Sequence, residues 1–463
     1  MIKKKLFQKT NFKLRRLLKF KAIRHPGFFI GGVIIFCILI LALFPDPFIN
    51  LLLKDRVSIA FNEAYPKDTL KLGRMHYNFW KNTLGCDSVI LKTNNIICRI
   101  PSFSVSGIGF TTILMQKNFT PTALTSLKID AQNVEIINRQ SQDEFRLGRL
   151  HISIPDSEIV TDSIKYYSLS DDEQFFAKSK FRQTRYRIDI PQIQIMSLDC
   201  LALLQGNGFI AKNFIIHDAF ADILVNMDKP YNKNSPNPNM PNEEFASIKE
   251  IFKLDSLNII NGRLKYSERF EINSKPGIIS INKITISAGE IANQKSFSDT
   301  TIIHGEGILM NSTKINVSIA IPFNSKDFSL HYSGSVGSMD VTELNSFIEP
   351  GEHQRIKTGY LQSASFTITV NSGKASGTLN AKYKDLKIDV INKNTGSENG
   401  IFDRIASLFN KMFVVRGTNM PDGKGLIKTG EIKYARDPED YFFQFIWFAV
   451  RNGIADVVGF PKK

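Results

Sequence analysis

Hydrophobic and polar residues alternate with period two along many short stretches of this chain. Ile315, Val317, Ile319, Ile321 and Phe323 are interleaved with Asn316, Ser318 and Ala320, the pattern of a strand with one apolar face. The alternation recurs at Leu150, Ile152 and Ile154, at Ile188 and Ile190 then Ile193 and Ile195, at Phe366, Ile368 and Val370, and at Leu386, Ile388 and Val390. Turn-forming residues separate these runs at Asn94-Asn95, Gly206-Asn207-Gly208, Asn261-Gly262, Asn273 to Gly277, Asn371 to Gly373 and Asp422-Gly423. Strands joined by tight turns pair antiparallel, so the pattern predicts a mainly β chain that meanders, most of its strands half-buried.

Four segments depart from this period. Residues 27–44 (GFFIGGVIIFCILILALF) are free of charge and as a helix reach roughly 27 Å, close to the hydrocarbon thickness of a bilayer. Residues 48–65 predict a short amphipathic helix with Leu51, Leu52, Val57, Ile59, Ala60 and Phe61 available to one face. Residues 400–413 place Ile401, Ile405, Leu408 and Phe409 on one side of a helix. Residues 438–456 predict another, with Pro438 and two acids at its start and an almost continuous apolar run from Phe442 to Phe448 that needs a partner surface. Capping of a groove is the simplest use of that run; membrane contact or a partner protein are the others.

Charge changes the picture at the N-terminus only. The net charge is +15, and ten basic residues lie between Lys3 and Arg24, with no acid before Asp46. The remainder mixes both signs without a basic helix or an aromatic-interleaved cluster, which argues against nucleic acid as a partner. Beside an apolar span, the basic block places the N-terminus in the cytoplasm and the rest of the chain across the membrane. A cleavable signal peptide is disfavoured: the basic region is long, no small-x-small site closes the run, and Pro45-Asp46-Pro47 stands where a peptidase would cut.

Little candidate chemistry emerges. Cys37 is in the span, and Cys86, Cys98 and Cys200 fall in an exported compartment where a disulfide could persist. The turn at Thr93 to Asn95 sets Cys98 opposite a position nearer Ile90 than Cys86, which disfavours a bridge between them. No Cys or His spacing suits a metal, and no G-x-S-x-G elbow or P-loop is present. Gly305-Glu306-Gly307 reads as a turn or bulge, and Asp171-Asp172 and Glu243-Glu244 as solvated loops. Neither an enzyme nor a cofactor is expected.

The order of parts is similar to a known family. FSLHYSG, MDVTELNSFI, LQSASFTITV and SGKASGTLNAKYKDLKIDVI follow one another between residues 323 and 391, closing on Gly377, Leu379, Tyr383, Asp385, Leu386 and Ile388. FKLDSLNIINGRLKYSE at 252–268 repeats the strand, Asn-Gly, strand unit. With one span and a terminal helix, this resembles the AsmA-like, TamB-related family of Gram-negative envelope proteins. Residues 155–185 align with no unit of it.

The resemblance implies an elongated, curved antiparallel sheet forming a taco-like open groove, on an N-terminal transmembrane helix and with C-terminal amphipathic helices. It divides the chain into a basic tail (1–25), an inner-membrane anchor (26–45), a strand-rich region (46–230), a polar loop or linker (231–243), a β module (244–395) and a helical and β cap (396–463). It further implies a periplasmic body that moves or holds phospholipid, or another acyl lipid, and supports outer-membrane homeostasis, with an outer-membrane or envelope protein as a further partner. Ile315, Val317, Ile319, Ile321, Phe366, Ile368, Val370, Leu386 and Ile388 are the expected groove lining. The competing expectation is an anchored scaffold or assembly factor whose apolar stripes are an ordinary packed core.

Overall fold

The computed structural model describes residues 54–78, 81–107, 125–390 and 415–459, apart from 273, 295, 298 and 353. The expected span and the expected helix over 400–413 lie outside them. Among the described residues no helix is long and apolar enough to cross a membrane. The fold is mainly β, in two compact units: one takes in residues up to Ser141 with Arg146–Glu158, the other Gln142–Phe145 and Ile159 onward.

The first unit opens with helix α1 (Lys54–Ala64). Phe61 buries its ring at 1% exposure while Ile59 is 57% exposed. The two were expected on one face, but residues two apart on a helix point to nearly opposite sides. Then follow β1 (Thr69–Leu72), β2 (Met75–Asn78), β3 (Thr83–Cys86), β4 (Val89–Lys92), β5 (Ile96–Ile100), β6 (Ser102–Ser106), β7 (Lys128–Asn138) and β8 (Asp143–Ser153). Pairing of β1 with β4 and β2 with β3 continues in one antiparallel register, as does pairing of β4 with β5 and β3 with β6, and of β5 and β6 with β7. The short strands are therefore halves of longer ones, interrupted at Gly73-Arg74, Asp87-Ser88 and Pro101, the last lacking an N–H for the ladder. Their apolar face is closed: Leu70, Met75, Leu84, Val89, Cys98, Phe103 and Ile129 are each no more than 7% exposed. Cys98 pairs with Leu91 and Cys86 with Phe103, and both thiols are free.

The second unit contains β9 (Glu158–Ser168), helix α2 (Asp172–Ala177), β10 (Thr184–Met196), helix α3 (Cys200–Leu204), β11 (Gly208–His217), β12 (Phe220–Asn226) and helix α4 (Pro241–Ser247). After these come β13 (Ile251–Arg269), β14 (Gly277–Ala292), β15 (Thr301–Leu309), β16 (Thr313–Ile321), β17 (Leu330–Val336), β18 (Met339–Asp340) and helix α5 (Asn345–Glu352). β19 (Gln354–Asn371), β20 (Lys374–Val390), β21 (Thr429–Ala435) and helix α6 (Phe442–Val458) complete it. From β13 to β17, and on through β19 to β21, each strand pairs antiparallel with the next. The hairpin between β19 and β20 turns on Ser372 and Gly373, both at positive φ, as a two-residue turn of right-handed strands requires.

The expected uniform antiparallel order fails at one place. β11 and β12 form one long strand broken at Asp218, antiparallel to β10 in a single register and parallel to β13. Parallel neighbours need a long crossover, and residues 227–250 supply it, including the polar segment 231–243. Within that segment Met240 is fully buried in the core of the unit.

Two expected turns are also different. Asn261-Gly262 lies inside β13, where Asn261 takes positive φ and the register against β14 shifts; it is a bulge. Gly305 and Gly307 lie inside the regular strand β15. A side chain at Gly307 would put its Cβ 2.7 Å from Ile281 Cγ2, so that glycine makes room for a neighbour. Bulges at Asn261, Lys283 and Asp385, all at positive φ, shift the alternation while keeping the apolar residues on one face.

Candidate apolar site

The registers of the second unit line up apolar side chains across the strands. One row runs Ile195, Phe214, Leu257, Ala288, Ile303, Ile319, Tyr332, Ile368, Gly377, Ile432, one residue from each strand in turn. Beside it runs a second: Ile193, Ile216, Ile259, Ile286, Gly305, Val317, Gly334, Phe366, Leu379, Gly430. Neither row carries a charge. The polar partners of the alternation, Asn258, Ser287, His304, Ser318, Ser333 and Thr367, form a row of their own on the other face; a cleft of about 580 Å³ is lined by five of them, Ser287, His304, Ser318, Ser333 and Thr367, together with residues that include Val317 and Phe366.

Burial changes along the first row. Tyr332, Ile368 and Ile432 are 0% exposed, because α6 lies on them. Phe445, Ala449, Gly453 and Val457, spaced by four, form the buried stripe of that helix. Gly430 and Gly453 permit the contact: a Cβ at Gly430 would stand 2.3 Å from the Gly453 carbonyl oxygen. Away from α6, Ile319, Ile303, Leu257 and Phe214 are half-buried. Smaller elements close two further margins of this half-buried region. Phe245 of α4 stacks on Phe323 at 4.3 Å and meets Phe252 edge-on at 5.5 Å. Phe347 of α5 stands 6.3 Å from the ring of Tyr266.

The nine expected lining residues separate accordingly. Ile321, Ile368 and Val370 are sealed in the core beneath and beside α6. Ile319, Phe366 and Leu386 are half-buried and pack against that core, and Ile315, Val317 and Ile388 are half-buried. Sequence reasoning missed Ile303, Ile259, Ile286 and Phe214, which continue the same floor. The strands of Ile259 and Ile286 show the alternation only once the bulges at Asn261 and Lys283 are allowed for. Helix α6 was expected from its apolar run, but it begins at Phe442, after an N-cap at Tyr441, rather than at Pro438.

One ionisable group interrupts the apolar face near α5. Glu268 is 1% exposed; its Oε1 accepts a hydrogen bond of 2.7 Å from the Tyr266 hydroxyl, and its Oε2 is buried without a hydrogen-bond partner. Burial pushes this carboxyl up to about 7, against the Tyr266 hydrogen bond and the positive charge of Arg182, which both act to lower it. On the opposite face two buried arginines dock α2: Arg185 bonds Asp172 at 3.1 Å, and the Arg269 guanidinium lies 4.7 Å from the Phe176 ring centre. Among the described residues no group of three or more His, Cys, Asp or Glu is placed to hold a metal ion.

The site is thus an uncharged floor several strands wide, bounded by three helices. Such a floor can exclude water from hydrocarbon. No family model and no curated protein matches this chain.

Proposed function

We propose that this is a single-pass, inner-membrane-anchored periplasmic protein of the AsmA-like type, which holds or moves phospholipid acyl chains on the apolar face of the second unit and so supports the outer membrane. The observation that carries the reading is the pair of uncharged rows, in which Phe214, Leu257, Ile303, Ile319 and Val317 are half-buried away from α6 while Ile195 and Ala288 are buried. A methylene fully removed from water gains about 0.8 kcal/mol, and an acyl chain resting on such a floor gains the part of this that corresponds to the surface it covers. The basic N-terminal block followed by the uncharged stretch 27–44 supports anchoring in the inner membrane with the body beyond it.

A second reading has its own observation. Ile321, Ile368 and Val370 are sealed under α6, which is what the core of an anchored scaffold for envelope proteins would look like. The alternation of β16 separates the two. A photo-activatable benzophenone amino acid is placed at Val317 or Ile319 on the apolar face and, as the control, at Asn316 or Ser318 on the other, in the full chain and in cells grown with radioactive phosphate. The lipid reading expects phosphate label on the protein from 317 and 319 and none from 316 and 318. Equal label from both faces, or none from either, would overturn it.

A further inference from the structure

Helix α5 is short, at eight residues, and Pro350 inside it removes one intrahelical donor. Its first residue is firmly tied: the Asn345 side chain accepts from the Ile356 N–H and donates to the Ile356 carbonyl, both at 2.9 Å. Beyond Asn345 the helix leans on β13 and β14. The Ser346 hydroxyl donates to the Ile278 carbonyl at 3.2 Å, and the Phe347 ring is buried beside Tyr266.

The Phe347 contact falls next to Glu268. Glu268 pairs with Gly277, and paired residues of antiparallel strands point to the same face. A Cβ on Gly277 would stand 2.7 Å from the Phe347 carbonyl oxygen and 3.4 Å from Phe347 Cδ2. The helix therefore rests in the space that Gly277 leaves open, beside the Glu268 side chain, whose second oxygen is buried without a partner. The groups facing this carboxyl are few. Tyr266 of β13 donates to it, Arg182 approaches from the segment before β10, and Tyr186 of β10 lies in the row of Tyr266 through Ile223. Val225 of β12 and Gly277 of β14 do not titrate, Glu349 of α5 is taken by Arg355 at 2.6 Å, and Glu271 and Lys275 of the β13–β14 connection are exposed.

We infer that Glu268 is a proton-operated latch for α5: while the carboxyl is protonated the helix stays seated, and ionisation lifts Ser346 and Phe347 from β13 and β14 about Asn345, opening the margin of the apolar floor at Tyr266. An ionised carboxyl with an unpartnered oxygen is strongly disfavoured in a site this dry, and water relieves it. The cover that can yield is α5, since the ladders of β12, β13 and β14 are continuous around Glu268. Burial pushes the carboxyl up to about 7, which sets the change in the neutral range. The latch does not depend on what the floor carries.

Hydrogen exchange of the full chain in detergent, read by peptide mass spectrometry and corrected for the intrinsic rise of amide exchange with pH, tests the latch. Between about pH 5.5 and about pH 8 the α5 amides of the wild type should open at least about tenfold more, and those of Glu268→Gln should not. Low urea should leave this opening unchanged, because lifting one short helix exposes little surface. Tyr266→Phe removes a hydrogen bond that favours the charged carboxyl, so its rise should begin at higher pH. Exchange in α5 that ignores pH in the wild type, or that rises equally in Glu268→Gln, overturns the latch. So does α5 exchange that climbs with urea as that of α6 does, which would mean that the whole unit opens, or an unshifted profile in a folded Tyr266→Phe protein.

Discussion

The hydroxyl of Tyr332 donates to the backbone carbonyl of Ile446 at 3.2 Å, joining the middle of the sheet to the middle of α6. Tyr332 stands in the apolar row between Ile319, half-buried, and Ile368, fully buried, so this bond marks where the floor passes beneath the helix. Burial pushes the Tyr332 phenol well above its ordinary range, and it remains a donor at every physiological pH. Tyr332→Phe removes the bond and keeps the ring. We expect a loss of about 1 kcal/mol, read as a lower denaturation midpoint with an unchanged slope. Tyr332→Ala removes the ring that packs on Phe366 at 5.8 Å and should cost roughly 3–5 kcal/mol. Equal, small effects of the two changes would show that α6 is not held here.

Glu268 gives the second unit a pH dependence of defined sign. The folded protein keeps the proton to about pH 7, whereas an unfolded glutamate releases it near 4.5. Between those values the folded state binds more protons, so stability falls as pH rises from about 4.5 to 7 and stays low above it. Glu268→Gln keeps the acceptor for Tyr266 and abolishes the titration. It should match the wild type near pH 4 and exceed it at pH 8, by at most about 3 kcal/mol. Chemical denaturation of the full chain in detergent across this range would show two parallel pH profiles if Glu268 ionises freely in the fold.

How far the sequence reaches can be judged from single residues. The alternation from Ile315 to Ile321 predicts β16 and its two faces, and Asn371 to Gly373 predicts a hairpin because two successive positive φ angles need residues that tolerate them. The same alternation cannot separate Ile319 from Ile368. It reports that a face is apolar, and only the landing place of α6, far later in the chain, decides which part is covered. Asn261-Gly262 misled for a related reason: a dipeptide fitted to a turn also suits a bulge, and the long partner strands choose. The crossover at 227–250 was legible as polar and Pro-rich but not as a return path, since parallel pairing of β11 and β12 with β13 is a long-range property.

Gly430 tests the seating of α6 by steric means alone. A methyl group there would lie 2.3 Å from the Gly453 carbonyl and 2.8 Å from Val457 Cγ2, and helix backbone cannot yield locally. Gly430→Ala should lift the C-terminal half of α6 and cost about 1–3 kcal/mol. Limited proteolysis should then cut after Arg451 faster than in the wild type. An unchanged cleavage rate at that bond would mean that the helix is seated elsewhere.

The free edge of β21 is guarded by side chains. Among the described residues β21 pairs with β20 alone, and its outward N–H groups at Glu431 and Lys433 are taken by Asp456 at 2.8 Å and Asn452 at 3.1 Å. Unpaired edges template association with another strand. The double change Asn452→Ala with Asp456→Ala removes both acceptors and breaks the 3.0 Å pair between Asp456 and Lys428. Sedimentation of the detergent-solubilised chain should then show concentration-dependent self-association that the wild type lacks. A monomeric double variant would mean that something besides these two side chains protects the edge.

Position 317 provides the direct test of the floor. Val317 pairs with Gly305 on one side and Gly334 on the other, so a new carboxylate there has no side chain on either paired residue to shield it and must project over the apolar rows. Val317→Asp would place a charge where an acyl chain is proposed to lie, and ejecting the chain relieves its desolvation. Asn316→Asp, one residue away, adds the same charge to the polar face. Measured by phosphate label captured through a benzophenone at Ile319, Val317→Asp should lose most of the signal, at least about tenfold, and Asn316→Asp should retain it. Because Val317 is half-buried rather than sealed, the charged variant keeps access to water and should still fold, which circular dichroism of the full chain verifies. A folded Val317→Asp protein with undiminished label would place the lipid elsewhere on the molecule.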